Sequence, residues 1–371
     1  YNWNLKGDLI GKLILIWIVL NLVQVANPYA VSTMAWLFSV RAMAILFLVY
    51  FIACHALDSY NKIISIIKYI IALGVLTALY GLKQEFFGFS DYELNWLYSE
   101  TRRAHLIIQW SRIRIFSFCS DPTTFGIYMS LLGTLSLILS FGKYKLQYRV
   151  LLFMAGLIMF ASMFYGGSRT PMVLIPIGLF IYALLTLKKE VFLIIGLIGV
   201  IGTGLILKST GSAVMYRIKS AFIPSLSEDT MLMREQNRKF IQPYMLTHPV
   251  GLGLGRIGIW GERFSPDDFL AGFAHDSGFL RIAVEMGWLY LLYYLFLLFI
   301  CLRTSIYYYV RVRNPKIKTI YLGLTVLMFQ VIIASYVQEV IPLIPTSITF
   351  YVFLAIIYKL KDYDIVETHT S

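Results

Sequence analysis

His275 stands in His275-Asp276-Ser277-Gly278, directly ahead of a long apolar run. It is the strongest candidate for a general base, because imidazole takes a proton near neutral pH. The other four histidines, His55, His105, His248 and His369, have no metal-ligand spacing with it or with each other. Arginine supplies the complementary chemistry, since guanidinium is planar, permanently charged and reads phosphate oxygens two at a time. Arg234 and Arg238 are four apart in a surface-helix pattern ending at Pro243, with Ser225 or Ser227 at its start. They share one face and suit a diphosphate, the alternative being a solvated face with Glu235 and Lys239 paired. Arg114 precedes Asp121-Pro122, and Arg169 precedes Thr170-Pro171. Both are cap-plus-proline helix starts, which offer free N–H groups and a positive dipole end to an anion. Arg256 follows Gly251-Leu-Gly253-Leu-Gly255, which reads as a glycine turn near a ligand. It is not a nucleotide fingerprint, because no strand–helix unit surrounds it. Arg281 and Glu285, four apart, read as an ion pair that fixes the helix beneath His275, with Asp276 as that helix's cap. Arg41, two turns into an apolar run, is a further pocket candidate.

The elements that must position these side chains are membrane spans. The 371-residue chain is 58% hydrophobic and 14% charged, against about 25% charged in soluble domains. This excludes a soluble globular enzyme and a disordered chain. An outer-membrane barrel is excluded too, because the apolar runs do not alternate. Ten runs suit an all-α polytopic membrane protein: 9–26, 35–56, 63–82, 122–141, 147–164, 171–187, 190–207, 278–302, 316–336 and 343–360. The long connections 83–121 and 208–277 divide the chain into spans 1–207, a large helical loop 208–277, and spans with a tail, 278–371. No internal repeat is visible. The chain begins at Tyr1, which reads as a piece of a longer protein, and it shows no cleavable signal peptide. Three scattered cysteines make neither a disulfide framework nor a zinc site.

Lysine and arginine in the short loops set the orientation, with Lys143, Lys145, Lys188, Lys189, Lys316 and Lys318 inside and both long loops outside. The 32 basic residues then sort by type: 12 Lys and 4 Arg inside, 4 Lys and 12 Arg outside. Inner lysine is the topology signal. Outer arginine needs another cause, and an anionic ligand supplies one. The basic residues lie between apolar runs, so the net charge of +12 does not indicate nucleic acid.

Taken in order, these residues resemble the O-antigen polymerase and O-antigen ligase superfamily, the Wzy-type integral membrane glycosyltransferases. The resemblance runs from about Arg112 to Leu292. It rests on Arg114 through Gly126, on Ser168-Arg169-Thr170, on Arg234 through Pro243 to Gly251-x-Gly253, and on His275-Asp276 followed by Glu285-x-Gly287. Two departures stand out: His275 is followed by Asp rather than Asn, and Cys119-Ser120-Asp121-Pro122 is looser than the family's stretch. The resemblance implies a GT-C-like fold and a polyprenyl-diphosphate-linked glycan donor. It implies a glycan, a lipid-linked glycan or lipid A core as acceptor, and chain-length regulators or flippases as partner proteins. It implies no metal and no other cofactor. Catalysis would fall to His275, Arg234 and Arg169, with diphosphate binding by Arg114, Arg238, Arg256 and Arg41 and support from Arg281, Glu285 and Asp276. The location would be the bacterial inner membrane, with the site on its periplasmic or extracellular side. A lipid-linked glycan flippase, an intramembrane protease and a metal-dependent transferase are the rivals. The flippase lacks a repeat, Gly166-Gly167-Ser168-Arg169 lacks the protease's final glycine, and Asp267-Asp268 reads as a turn rather than a metal site.

Overall fold

The computed structural model describes residues 7–109, 112–188, 192, 196, 219, 228–273, 275 and 277–364. They form an all-α molecule with fourteen α-helices among them. The first three are α1 (Leu9–Val23), α2 (Thr33–Ala56) and α3 (Tyr60–Phe87). In the first long connection come α4 (Asp91–Tyr98), α5 (Thr101–Ile107) and a hairpin that pairs Ile108 with Ile113 and Gln109 with Arg112. The bundle resumes with α6 (Pro122–Ser140), α7 (Leu146–Tyr165) and α8 (Arg169–Thr186). Across the second connection lie α9 (Glu228–Thr247), α10 (Gly258–Phe264) and α11 (Gly278–Glu285). The chain closes with α12 (Trp288–Arg311), α13 (Pro315–Val337) and α14 (Thr346–Lys359). Among the described residues eight helices are long and apolar enough to cross a membrane: α1, α2, α3, α6, α7, α8, α12 and α13. The predicted span 190–207 lies outside the described residues.

Two of the remaining expectations change. The predicted span 278–302 is two helices, because the chain breaks at Gly287 with φ +94°. A β-carbon there would meet the Pro249 carbonyl oxygen at 2.1 Å, so only glycine permits this approach. Arg281 and Glu285 therefore lie on a short helix ahead of the spanning one. The predicted span 343–360 forms only the fourteen-residue α14.

Of the eight long apolar helices, α6 and α13 are the most enclosed. Small residues let their neighbours come close, as is usual where lipid gives helices no hydrophobic reason to associate. Gly133 faces the Phe160 ring, Gly126 faces Pro171, and Gly323 faces Leu135. Polar side chains in this layer pair within the bundle. Gln330 Nε2 donates to Thr134 Oγ1 at 3.1 Å and to the Leu174 carbonyl at 2.7 Å. Ser305 and Thr325 hydroxyls meet at 2.7 Å.

The two ends of the bundle differ. At one, Asp8 accepts from the Tyr50 hydroxyl at 2.8 Å, Tyr144 reaches the Lys316 carbonyl, and Asp364 accepts from the Asn314 N–H at 2.9 Å. At the other gather the ends of α1, α3 and α13, the starts of α2, α6 and α8, and both long connections.

Candidate functional site

α11 is stitched to the end of α13. Ser277 caps α11 by accepting from the Leu280 N–H, and its hydroxyl donates to the Ser335 carbonyl at 3.3 Å. The Gly278 N–H donates to the Gln338 carbonyl at 3.3 Å. Asp276, expected as the cap, lies outside the described residues, and Ser277 does the capping. This stitching sets Arg281 opposite Glu339. The guanidinium donates from Nη1 to Glu339 Oε1 at 2.5 Å and from Nε to Glu285 Oε2 at 3.2 Å. The predicted Arg281–Glu285 pair is therefore present, and a third partner, Glu339, joins it.

Glu339 also holds His275. Its Oε2 lies 3.1 Å from His275 Nε2, and both side chains are largely buried. Burial pushes the Glu339 carboxyl up, but the charge of Arg281 and the hydrogen bond from His275 outweigh it and hold it down to about 2. Burial works against the Arg281 charge as well, and the Glu285 and Glu339 carboxylates more than offset it, so its proton is held more tightly than usual. His275 Nδ1 is buried and has no hydrogen-bond partner among the described residues. That edge of the ring faces Gly258, where φ is +69° and a β-carbon would meet Cε1 at 3.0 Å and Nδ1 at 3.7 Å. An imidazole that donates from Nε2 to a carboxylate keeps a lone pair on Nδ1, so the geometry makes Nδ1 the proton acceptor.

Below this network opens a small cleft, a cavity of about 60 Å³. Arg281, Glu285 and Glu339 form its polar end. Trp17, Phe47, Phe279, Met286, Tyr294 and Tyr351 are among its mainly apolar walls. A charged end over an apolar body suits an amphiphile.

The glycine-rich turn borders this cleft through Leu254, but its glycines serve backbone packing. Gly251, Gly253 and Gly255 have φ of +76°, +102° and +77°. Each presses on backbone, at Met286–Gly287, at Ala30 and at Ala35 respectively. Leu252 and Gly253 N–H groups donate to the Val284 and Glu285 carbonyls, each at 2.9 Å. Gln24 and Asn27 at the end of α1 reach the Val250 carbonyl. Arg256 is committed to the same scaffold: it forks onto Asp268 at 3.2 and 2.8 Å and reaches the Tyr29 carbonyl at 3.0 Å. Asp268 in turn accepts from the Leu270 N–H, the turn expected of Asp267-Asp268.

A second group of predicted residues meets where α6 and α8 begin. Asp121 caps α6, accepting from the Thr123 and Thr124 N–H groups at 2.8 and 2.9 Å, with Pro122 at the first position as expected. At α8 the helix starts earlier than expected. Ser168 is the cap residue, Arg169 the first helical one, and Pro171 falls in the first turn, where its missing N–H costs nothing. Ser168 makes no capping hydrogen bond. Its hydroxyl instead meets Thr123 Oγ1 at 2.8 Å and accepts from Arg114 Nη1 at 3.5 Å. Arg114 also donates to the Leu106 carbonyl. Half-buried Arg169 makes no ion pair among the described residues. Two guanidinium groups, two hydroxyls and an uncapped helix start make a setting for an anion.

α9 runs past Pro243 to Thr247, and Ile241 anchors it against Leu252, Ile257, Leu270 and Val284. Arg238 is exposed, and Lys239 pairs with Glu235 at 2.8 Å, the solvated arrangement weighed from the sequence. The Arg234 side chain lies outside the described residues. Arg41 is exposed on α2, its guanidinium 4.6 Å above the Phe38 ring.

Glu339 and Gly258 were not singled out from the sequence. Glu339 did leave a signal: it is the one acid in 337–342, a short loop that has no Lys or Arg. No family model and no curated protein matches the chain. The resemblance drawn from its motifs stands on those residues.

Proposed function

We propose that the chain is a membrane glycosyltransferase that polymerises polyprenyl-diphosphate-linked oligosaccharide repeats, as in O-antigen, capsule or exopolysaccharide assembly. In this reading it spans the bacterial cytoplasmic membrane about ten times with a GT-C-like arrangement and works on the outer side. The observation that carries the reading is the His275–Glu339 contact, in which Glu339 stands at the polar end of the cleft and His275 Nδ1 is buried and unpartnered among the described residues. Such an imidazole is arranged to take a proton from a hydroxyl.

In the proposed step the acceptor hydroxyl oxygen attacks the anomeric carbon of the donor glycan. His275 Nδ1 takes the hydroxyl proton. The bond from the anomeric carbon to the phosphate oxygen breaks, and the lipid diphosphate leaves with the electron pair. Arg169 and Arg114 receive the charge that develops on it, with the open start of α8 beside them, and Arg234 and Arg238 of α9 are assigned to the same diphosphate.

The test is turnover by purified protein in detergent, where a flippase has no second compartment to serve. Wild type should join lipid-linked repeats with or without EDTA. His275→Ala should lose roughly 100-fold in turnover while keeping donor binding. Normal turnover by the Ala variant would refute the base, and loss of activity in EDTA would favour the metal-dependent rival. Transfer to lipid A core instead of a second lipid-linked repeat would make the protein a ligase.

A further inference from the structure

Arg41 is the one Lys, Arg, Asp or Glu in α2. It sits in a continuous exposed stripe. Met34, Leu37, Ile45, Leu48 and Ile52 recur at helical spacing on either side of it and are 48% to 63% exposed. Such a stripe on a spanning helix faces hydrocarbon. Arg41 lies about 12 Å along the helix from its first residue. A guanidinium at that depth on a lipid-facing surface requires an anion or a route to the headgroup layer.

The structure supplies a cradle but no anion. Arg41 sits 4.6 Å from the centre of the Phe38 ring, and Arg263 of α10 sits 5.9 Å from the same ring. Phe38 packs against Trp260 and Phe264, each at 5.1 Å, and Arg263 also covers Phe264 at 5.5 Å. Neither arginine makes a hydrogen bond or ion pair among the described residues. Glu262, the acid next to Arg263, turns to Gly272 instead. Ile259 of α10 is 64% exposed beside this cluster. Aromatic rings with an exposed aliphatic side chain at the start of a spanning helix are the composition of the headgroup layer.

We propose that Arg41 and Arg263 together hold the headgroup phosphate of an anionic phospholipid from the surrounding bilayer, with Phe38 as the floor of the site. The Ile45, Leu48 and Ile52 stripe below it takes an acyl chain. Two cations with no carboxylate opposite them among the described residues select a lipid of net negative charge over a zwitterionic one. The patch is separate from the cleft, which α2 lines from its other side with Leu46 and Phe47. The headgroup bridges α2 to α10, and α10 begins at Gly258, on which the His275 ring rests. The lipid thereby braces the loop next to the candidate base. The binding claim does not depend on the glycosyl-transfer reading.

The experiment is lipid competition on the full chain in mild detergent, read by native mass spectrometry. Phosphatidylglycerol and phosphatidylcholine are supplied in equal amounts. Wild type should retain phosphatidylglycerol in clear excess, and short-chain phosphatidylglycerol alone should raise its melting temperature. Each guanidinium contributes about fivefold near an anionic headgroup, so the Arg41→Gln, Arg263→Gln double variant should lose roughly 25-fold of the preference. The single Arg263→Gln variant, at an exposed position, should lose about fivefold of the preference, and an unchanged preference there overturns the proposal if the Gln pair does not fold; the Arg41→Lys, Arg263→Lys pair keeps the charge and should retain most of it. Equal retention of both lipids by wild type, or an undiminished preference in the Gln pair, overturns the proposal. Displacement of phosphatidylglycerol by an equal amount of polyprenyl phosphate also overturns it and reassigns the patch to the donor lipid.

Discussion

In neutral imidazole one nitrogen carries the proton, and at His275 the Glu339 carboxylate fixes which one. Oε2 accepts from Nε2 at 3.1 Å, so the basic lone pair is on Nδ1, against Gly258. Glu339→Gln offers an amide that can donate to Nε2 and so select the wrong tautomer. Turnover should fall about 100-fold with KM little changed, and the pH–rate profile should shift, which a purely structural role would not produce. The same carboxylate links stability to pH. Its folded-state pKa of about 2 lies below the ordinary glutamate value of about 4.3. Its contribution, about 3 kcal/mol, is fully present above pH ~4.5 and is lost as pH falls towards 2. Melting curves in detergent should therefore drop through that window in wild type and drop less in Glu339→Gln. Equal slopes would refute the linkage. His275, Arg281 and Glu285 were legible from residue type and a spacing of four. Glu339 was not, because it is 64 residues from His275 and no local spacing joins them. Arg256 was legible as a reader of anions only by its chemistry; its fork is taken by Asp268 twelve residues on, a pairing that loop sequence does not encode in any period.

The helices that carry these residues are positioned by backbone approaches, which side-chain periodicity does not report. The run 278–302 reads as one span because its apolar residues continue through the break. The interruption at Gly287 comes from the turn at Pro249–Gly251 pressing against it. Gly287→Ala combines a left-handed φ of +94° with a clash at 2.1 Å on the Pro249 carbonyl, and backbone cannot move aside as a side chain can. It should cost about 3 kcal/mol or more and sharply lower the yield of monodisperse protein in size-exclusion chromatography. Gly88→Ala is the control. Its φ of +83° and ψ of 177° carry the same kind of backbone strain, about 1–3 kcal/mol, but nothing lies within 4 Å of the new β-carbon, so it should cost clearly less than Gly287→Ala. Equal losses in the two variants would mean that the α11–α12 break is not held by this contact. Cap chemistry was more legible. Asp121-Pro122 starts α6 where expected, because a cap followed by proline is a local signal. At α8 two such signals, Ser168 and Thr170-Pro171, stand side by side, and the hydrogen bond of Ser168 to Thr123 belongs to another helix.

At the scale of the whole chain, the lysines and arginines separate by the end of the bundle they occupy. Lys143, Lys188 and Lys316 are exposed at the end that holds Asp8 and Asp364. Arg114, Arg169, Arg256 and Arg281 stand at the end that holds His275 and the cleft. Long apolar runs made legible the eight helices that, among the described residues, are long and apolar enough to cross a membrane, and parity assigned each loop to an end. Composition could not say that the arginines form two separate groups, one at the start of α8 and one around α11, because helix packing decides which loops meet. Lysine in short loops is retained on the cytoplasmic side, so the lysine-rich end is expected to face the cytoplasm. Single cysteines test this directly. The native Cys119 and Cys301 are buried and give little background, and half-buried Cys54 is first changed to Ala. Cysteines at Lys143, Lys188 and Lys316 should resist an impermeant maleimide in intact cells and react once the cells are opened. A cysteine at exposed Asp267 should react in intact cells. The reverse pattern would put His275 and the arginine-rich end in the cytoplasm, where a lipid-linked glycan awaiting polymerisation on the outer face is out of reach, and the proposed reaction would fall with the topology.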